Sequence, residues 1–277
     1  MKRLLYIILY IALAATASAQ EAIDTAQFVA VYDYECRTQD AEGTPVTDRM
    51  QLAVQVGRTV TKSMPLSAYQ RTDEITSADA AMEFQEAMLH MPTVWTGYPE
   101  GQTTVREFIF PHDYEGYEST PDIMWTLTND TLTVSSYYCQ TATCKFRGVA
   151  WTVCYTEEIP SSAGSWRLRG LPGLIVKAEN DAHTFCLAEL RQEASLITAP
   201  EQDPEVQRMA YAKLLKHKNE IYGNREYAKN PTYYVPDLQG SITDMSVLNR
   251  NGQQLVFANG HPLLTEAHVY QPLEVCE

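Results

Sequence analysis

The sequence lacks the motifs by which most hydrolases, metalloenzymes and nucleotide-binding proteins are identified. It contains no Gly-x-Ser-x-Gly nucleophile elbow, no His-Glu-x-x-His motif, no EF-hand loop and no glycine-rich phosphate loop. Cys-x-x-Cys is also absent and the six histidines are scattered, which argues against a tetrahedral zinc site. We therefore predict no catalytic residues, no metal ligands and no cofactor.

Basic residues are scarce, because 21 lysines and arginines stand against 35 aspartates and glutamates, for a net charge of −14. A surface of that sign repels phosphate backbones, so the composition argues against nucleic-acid binding. Long apolar runs are scarce as well. After residue 19, no stretch approaches the ~20 apolar residues that a membrane span needs. The sequence therefore predicts no transmembrane segment once its leader is removed.

The first 19 residues have the composition of a signal peptide. Lys2 and Arg3 precede the apolar run Leu4–Ala15, and the small residues Ala17–Ala19 resemble a cleavage site. Cleavage would leave residues 20–277 as a single β-rich domain, with 19 basic residues against 35 acidic ones and a net charge of −16. Gln20 stands where a lipid-anchored protein needs cysteine. We expect an exported protein of the periplasm, the cell envelope or the extracellular space.

Six cysteines follow the leader, an even number that favours disulfides in an exported chain. We expect at least two disulfides, drawn mostly from Cys139, Cys144, Cys154 and Cys186, with the partners left open. Inert buried thiols and a metal site are the alternatives. Cys139 and Cys144 would lie ~16 Å apart on one straight strand, so a bridge between these two requires an intervening turn.

Alternating apolar and polar residues predict a mainly β, α+β fold, with an antiparallel curved sheet or meander and two helices. One helix is predicted over Ser77–Met91, and a second begins near Pro204 with Asp203 as its cap. Asn-Gly at residues 251–252 predicts a hairpin turn. The predicted strands are Phe28–Tyr34, Met50–Val56, Thr104–Phe110, Met124–Leu127, Thr131–Tyr138 and a meander over Lys145–Arg191, with turns at Gly43–Pro45, Asn129–Asp130 and Asn180–Asp181.

Two charged segments invite a binding interpretation. The acidic, aromatic stretch 111–118 is predicted as a loop, and it either binds a cation or a sugar or is simply solvated. A basic cluster on and after the second helix either receives an anionic ligand or forms a solvated face that compensates nearby acids. The members of this cluster are Arg208, Lys213, Lys216, Lys218, Arg225 and Lys229.

The most specific string is Gly170-Leu171-Pro172-Gly173-Leu174-Ile175, which reads as a turn leading into a buried strand. Pro172 presets φ for the first central position of a type II turn, and Gly173 would supply the positive φ of the second. None of these side chains can transfer a proton or act as a nucleophile, so we interpret the string as structural.

This string and its surroundings resemble the GLPGLI (Porph_ging) family of exported proteins of the phylum Bacteroidota. The resemblance extends over about residues 137–190 and returns at the C-terminus. It is carried by Tyr138-Cys139, Phe146-Arg147-Gly148, Trp151, Tyr155–Pro160, Gly164-Ser165-Trp166 and the ending Tyr270–Glu274. The resemblance implies export to the cell envelope and brings no catalytic residues with it.

Three functions therefore compete. The first is a non-enzymatic envelope protein that binds a ligand or partner on a curved β-sheet. The second is a hydrolase-type enzyme whose site is assembled from dispersed residues. The third is an assembly subunit beside an outer-membrane transport system. Converging carboxylates or a Cys-His contact in a cleft would favour the enzyme, and a broad groove would favour binding.

Overall fold

A computed structural model describes residues 20–40, 42–70, 91–109, 112–223, 232–236, 242–247 and 268–275. These residues form sixteen strands and two helices, numbered here along the chain. The strands are β1 (Ala22–Thr25), β2 (Phe28–Gln39), β3 (Pro45–Val56), β4 (Thr61–Pro65), β5 (Thr93–Thr96), β6 (Gln102–Ile109), β7 (His112–Ser119), β8 (Thr126–Val134), β9 (Tyr137–Phe146), β10 (Val149–Thr156), β11 (Leu174–Glu179), β12 (His183–Arg191), β13 (Leu196–Thr198), β14 (Gln207–Ala210), β15 (Thr232–Pro236) and β16 (Ile242–Val247). The helices are α1 (Leu66–Gln70) and α2 (Tyr211–Tyr222).

Twelve of the strands form one sheet in the order β14-β7-β6-β5-β4-β3-β2-β12-β11-β10-β9-β8. All of its neighbours are antiparallel except β14 and β7, which are parallel. β1 pairs with β13, and β15 pairs with β16, each in a two-stranded sheet. The predicted fold class, mainly β with two helices, is confirmed over the described residues.

The alternating direction of the side chains of β2 explains how the sheet buries both of its faces. Tyr32 and Tyr34 point to one side and enter the larger apolar core with Trp151 and Phe185. Val29 and Val31 point to the opposite side and pack with a second cluster around Trp95 and Ile197. Successive side chains of a strand face opposite sides, so a central strand that is apolar at every position needs cover on both faces.

The second helix begins later than the sequence predicts. The prediction placed its start near Pro204, but residues 207–210 form β14 and the helix begins at Tyr211. Asp203 does act locally, since its Oδ1 accepts a hydrogen bond from the Glu205 N–H at 2.8 Å. That contact closes a turn rather than a helix, because the next residues find hydrogen-bond partners on β7.

Two loop and turn predictions are also wrong. Residues 112–119 form β7 rather than a loop, because their backbone pairs with β6 over the whole segment. β8 runs unbroken through Asn129–Asp130, where its register against β9 shifts between Leu127 and Thr131. The hairpin turn lies instead at Ser135 and Ser136, which both have positive φ. Asn-Asp therefore marks a bulge here and not a chain reversal.

Other predicted connections are confirmed. β2 and β3 form a long hairpin closed at residues 40–44, and the chain turns at Asn180–Asp181 between β11 and β12. β9 to β12 form an antiparallel meander, although residues 166–169 within the predicted meander are irregular. The predicted helix Ser77–Met91 lies almost wholly outside the described residues, and the hairpin at residues 251–252 lies entirely outside them. Within the described part of the chain, no helix is long and apolar enough to span a bilayer.

All five cysteines within the described ranges are free thiols, so the disulfide prediction finds no support in this structure. Cys139 and Cys144 lie on the same unbroken strand, which excludes a bridge between them. Cys144 faces Trp151 whereas Cys154 faces Thr141, so their strands are adjacent but their positions do not coincide. Cys139 lies diagonally across from Cys154, because it is two residues away from Thr141, which pairs with Cys154. Diagonal neighbours of this kind are ~7–8 Å apart.

Candidate functional site

The Gly170–Ile175 string crosses from an irregular loop into the core. Leu171, Leu174 and Ile175 are buried, and the last two begin β11. The prediction that Gly173 has positive φ is wrong, since among the string's glycines only Gly170 does, at +98°. Gly173 is instead required by a close approach: a Cβ atom there would lie 2.1 Å from the Thr156 carbonyl oxygen. The string is structural, as the sequence predicts, for a steric reason.

A polar pocket of about 430 Å³ lies beside this string, at one end of the large sheet. We call it the end pocket. Five segments supply its walls, namely the start of β2, the β3–β4 turn, the β5–β6 loop, the residue after β7 and the loop before the string. Its lining residues are Gln27, Phe28, Val56, Gly57, Arg58, Thr59, Thr61, Thr96, Gly97, Gly101, Thr120, Pro160, Ser161, Ser162, Ala163 and Arg169.

The β3–β4 turn is held in place by Asp24, which precedes β2. The Asp24 Oδ2 atom accepts hydrogen bonds from the backbone N–H groups of Thr59 and Val60, at 2.8 and 3.0 Å. Partial burial raises the pKa of this carboxyl, but the hydrogen bonds outweigh burial and the pKa is lowered overall. Asp24 therefore stays ionised at neutral pH with its charge directed at the turn backbone, and the turn presents Arg58 outward.

The β5–β6 loop packs directly against that turn. Gly97 has φ of +89°, a conformation that side chains rarely adopt, and a Cβ atom there would lie 2.3 Å from the Thr59 carbonyl oxygen. Its N–H donates to the Gln102 carbonyl at 2.8 Å, which closes the loop. Two walls of the end pocket therefore contact each other through backbone atoms.

The third wall carries Arg169. The Trp125 indole N–H donates to the Arg169 carbonyl at 2.9 Å, and the Gly170 N–H donates to the Ser162 carbonyl at 2.8 Å. These bonds fix the loop while leaving the guanidinium available. One Arg169 guanidinium nitrogen donates to the Pro121 carbonyl at 3.4 Å, the single hydrogen bond of this guanidinium to a described residue.

The charge of the end pocket is opposite to that of the chain. Among the described residues, no aspartate or glutamate lines it, although the chain has 35 of them. Six of the nine arginines in the described ranges pair with a glutamate, namely Arg49, Arg106, Arg147, Arg167, Arg191 and Arg208. Arg58 and Arg169 form no ion pair within those ranges, and both line the end pocket. The site thus concentrates positive charge in an acidic protein.

The converging carboxylates that would favour an enzyme do occur, but they are fully engaged in ion pairs. Glu274 is 3% exposed and receives two bonds from Arg167, at 2.8 and 3.0 Å, and one from the Tyr211 hydroxyl. Glu118 bridges Arg147 and Arg167. Burial lowers the pKa of Arg167, but the attraction of these acids outweighs burial and the pKa is raised overall. We interpret this network as structural, because a general acid or base needs an oxygen that can face substrate.

The predicted basic cluster does not form one anion site. Lys218 is buried against Glu107, with Nζ 3.0 Å from the carboxylate. Arg208 pairs with Glu115 at 3.1 Å. Lys216 lies 3.8 Å from Glu220 on the exposed side of α2. Arg225 and Lys229 lie outside the described residues. Arg208, Lys216 and Lys218 therefore compensate nearby acids, whereas Lys213 is exposed and forms no ion pair with a described residue.

Four of the five described thiols are poor nucleophiles in this fold. Burial raises the pKa of Cys36, Cys144 and Cys154 to about 11 in each case, and it also raises the pKa of Cys139. A thiol with such a pKa is protonated at neutral pH and reacts slowly. Over the described ranges, no group of three or more histidine, cysteine, aspartate or glutamate side chains is arranged to hold a metal ion.

Lys62 is a half-buried lysine whose pKa lies well below the ordinary value. It lies on β4 with its ammonium 5.1 Å from the centre of the Trp95 ring, and burial lowers its pKa to about 8. Within the described part of the chain, its ammonium donates a single hydrogen bond, to the Thr198 hydroxyl at 3.3 Å. The folded protein therefore releases this proton about two pH units before the unfolded chain does.

Stability should consequently rise with pH between about 8 and 10.5, because only the unfolded chain keeps the Lys62 proton in that range. We expect the free energy of unfolding of the parent, measured in urea, to rise by roughly 1–3 kcal/mol between pH 7.5 and pH 10, relative to that of Lys62→Met. Lys216→Met removes an exposed lysine and serves as the control. Parallel stability curves for the parent and Lys62→Met would contradict this assignment.

Comparisons with known proteins add little. No family model matches the chain, and no curated protein matches it. Two structures of PNGF-II, in space groups C2 and P21, are 11% and 12% identical to it, with TM-scores of 0.40 and 0.41. Each alignment covers 76% of this chain, which spans about a third (34% and 35%) of the PNGF-II chains. Similarity of this degree supports neither a shared fold nor a shared function.

Proposed function

We propose that this protein is an exported, non-enzymatic protein of the cell envelope that binds a small polar ligand in the end pocket. The observation that carries the proposal is the pocket itself, a rigid cavity of about 430 Å³ with hydroxyl and guanidinium groups in its walls. Cavities of this size are typical of small-molecule sites. The leader sequence and the resemblance to the GLPGLI family support export.

The state of the reactive groups favours binding over catalysis. Within the described residues, neither an acid nor a thiol lines the end pocket, and the buried carboxylates of Glu107 and Glu274 already have a cationic partner. A hydrolase needs at least one group that can donate, accept or attack at the ligand. Hydroxyls and arginines without a base beside them hold a ligand and leave it unchanged.

Saturation-transfer NMR with a set of saccharides tests the proposal, using glucose, N-acetylglucosamine, glucuronate and galacturonate as probes. We expect transfer to at least one of them, abolished in Ser162→Trp, which fills the pocket from an exposed position. Thr131→Trp, at an exposed position on β8, serves as the matched control and should bind like the parent.

Each other outcome contradicts the proposal in its own way. Conversion of N-acetylglucosamine to glucosamine and acetate would indicate the hydrolase alternative, because its amide is the one bond among the four probes that a hydrolase can cleave. Equal binding by Ser162→Trp and the parent would place the ligand outside the end pocket. If no saturation is transferred to any of the four probes, the ligand is not one of these saccharides. That result would favour the alternative function, an assembly subunit beside an outer-membrane transport system.

A further inference from the structure

Resting on the proposed function, we infer that the ligand of the end pocket is an acidic saccharide, whose anionic group binds Arg58 and Arg169. The two side chains come from distant parts of the sequence, one from the β3–β4 turn and one from the loop before β11. The fold brings both to one cavity, and within the described residues neither has a carboxylate partner. Together they define the class of ligand.

The guanidinium groups select for a negative charge. Arginine presents a planar fork of donors that matches carboxylate, sulfate or phosphate oxygens, and such charge-assisted bonds are about twice as strong as neutral ones. Asp24 lies at the same turn as Arg58, and its carboxylate accepts hydrogen bonds from the backbone N–H groups of Thr25, Thr59 and Val60. Within the described residues it forms no ion pair with either arginine, so both guanidinium forks can still bind the oxygens of an anionic ligand.

The remaining walls select for hydroxyl groups. Threonine and serine residues line the cavity at positions 61, 96, 120, 161 and 162. A hydroxyl both donates and accepts, so a ring of them matches a ligand that also carries hydroxyls. Phe28 adds one apolar surface to the lining. A bare inorganic anion would use the arginines and leave these groups to water.

The charge of the whole protein sharpens the inference. A net charge of −14 repels anions at long range, so this protein attracts an acidic ligand only where its cations are concentrated. The affinity should therefore come from short-range contacts with the two arginines. Added salt should weaken it, because salt screens charges at partly exposed sites.

Isothermal titration calorimetry with single probes tests the inference. We expect glucuronate to bind at least about tenfold more tightly than glucose, acetate or inorganic phosphate. Arg58→Met and Arg169→Met should each lower the glucuronate affinity at least about tenfold, the usual size of a lost charged hydrogen bond. Arg49→Met removes the same charge from an exposed pair with Glu35 and should change the affinity less than twofold. Raising NaCl from about 50 to 500 mM should weaken glucuronate binding and leave any glucose binding unchanged.

The outcomes separate this inference from the proposed function. If glucose binds as tightly as glucuronate and the arginine variants bind normally, the pocket binds neutral sugars and the inference is wrong while the proposed function stands. If phosphate binds as tightly as glucuronate, the site recognises an anion alone and the saccharide part is wrong. If no probe binds, both are contradicted. A loss of affinity in Arg49→Met equal to that in Arg58→Met would assign the effect to overall charge.

Discussion

Replacing Glu274 by glutamine should lower the free energy of unfolding by about 3–5 kcal/mol, the usual effect of removing one partner from a buried ion pair. Both sides of this pair are almost inaccessible, with 2% of each side chain exposed. In this variant, Glu118 is the one carboxylate still paired with the Arg167 guanidinium, and the Tyr211 hydroxyl loses its carboxylate acceptor. Urea unfolding monitored by tryptophan fluorescence measures the change.

The effect should spread through the C-terminal segment 268–275, which contacts several strands at once. Asn219 on α2 donates to the Glu274 carbonyl at 3.2 Å, and the Val275 N–H donates to the Arg147 carbonyl at 2.9 Å. At the other end, the Val269 N–H donates to the Gln39 carbonyl at 2.7 Å. We therefore expect hydrogen exchange of the Val269 and Val275 amides to accelerate in Glu274→Gln.

Two comparisons make the result interpretable. Glu220→Gln removes a charge from an exposed pair on α2 and should change stability by less than about 0.5 kcal/mol. The double variant Arg167→Met/Glu274→Met removes both buried charges, and it should recover part of the stability that Glu274→Gln loses. A loss below about 1 kcal/mol in Glu274→Gln would show that the network is not structurally important.

The sequence was sufficient to predict those parts of the fold in which neighbouring residues determine the outcome. The β2–β3 hairpin followed from alternating apolar residues around Gly43–Pro45, and the β11–β12 turn followed from Asn180–Asp181. The start of α2 was missed because the backbone of residues 207–210 pairs with β7, roughly ninety residues earlier. A capping signal at Asp203 carries no information about a partner so distant in the chain.

β7 was missed for a related reason. Its polar residues and Gly116 suggest a loop, yet the strand is fixed by β6 on one side and β14 on the other. α2 then covers one of its faces, so closely that a Cβ atom at Gly116 would lie 2.8 Å from the Tyr211 ring. The glycine that suggested a loop is therefore a packing requirement of a strand.

The end pocket could not be predicted at all, because its two arginines come from segments that only the sheet brings together. Each arginine alone resembles a solvated surface residue. One signal was available: Arg58 lies between Gly57 and Thr59 at a tight connection between two strand patterns, with no acid among its near neighbours in sequence. That signal identifies a turn that presents a cation, but it does not identify the second wall.

Replacing Gly173 by valine should destabilise the protein by about 3 kcal/mol or more, since overpacking against backbone cannot be relieved by a rotamer change. A Cβ atom there would lie 2.1 Å from the Thr156 carbonyl oxygen and 2.8 Å from the Glu157 backbone nitrogen. Relief requires β11 to move away from the end of β10, where Thr156 pairs with Leu174. The loop that carries Arg169 would move with it.

Alanine variants separate steric exclusion from backbone conformation. Gly173→Ala adds a single methyl group, yet it should still cost about 2–3 kcal/mol, because the clash begins at Cβ. Gly170→Ala and Gly43→Ala place a Cβ atom at φ of +98° and +91° without a clash, and each should cost only about 1 kcal/mol. Urea unfolding measures the loss in the free energy of unfolding for each of the three variants. A smaller loss for Gly173→Ala than for Gly170→Ala would show that φ, and not the approach to Thr156, makes glycine necessary in this string.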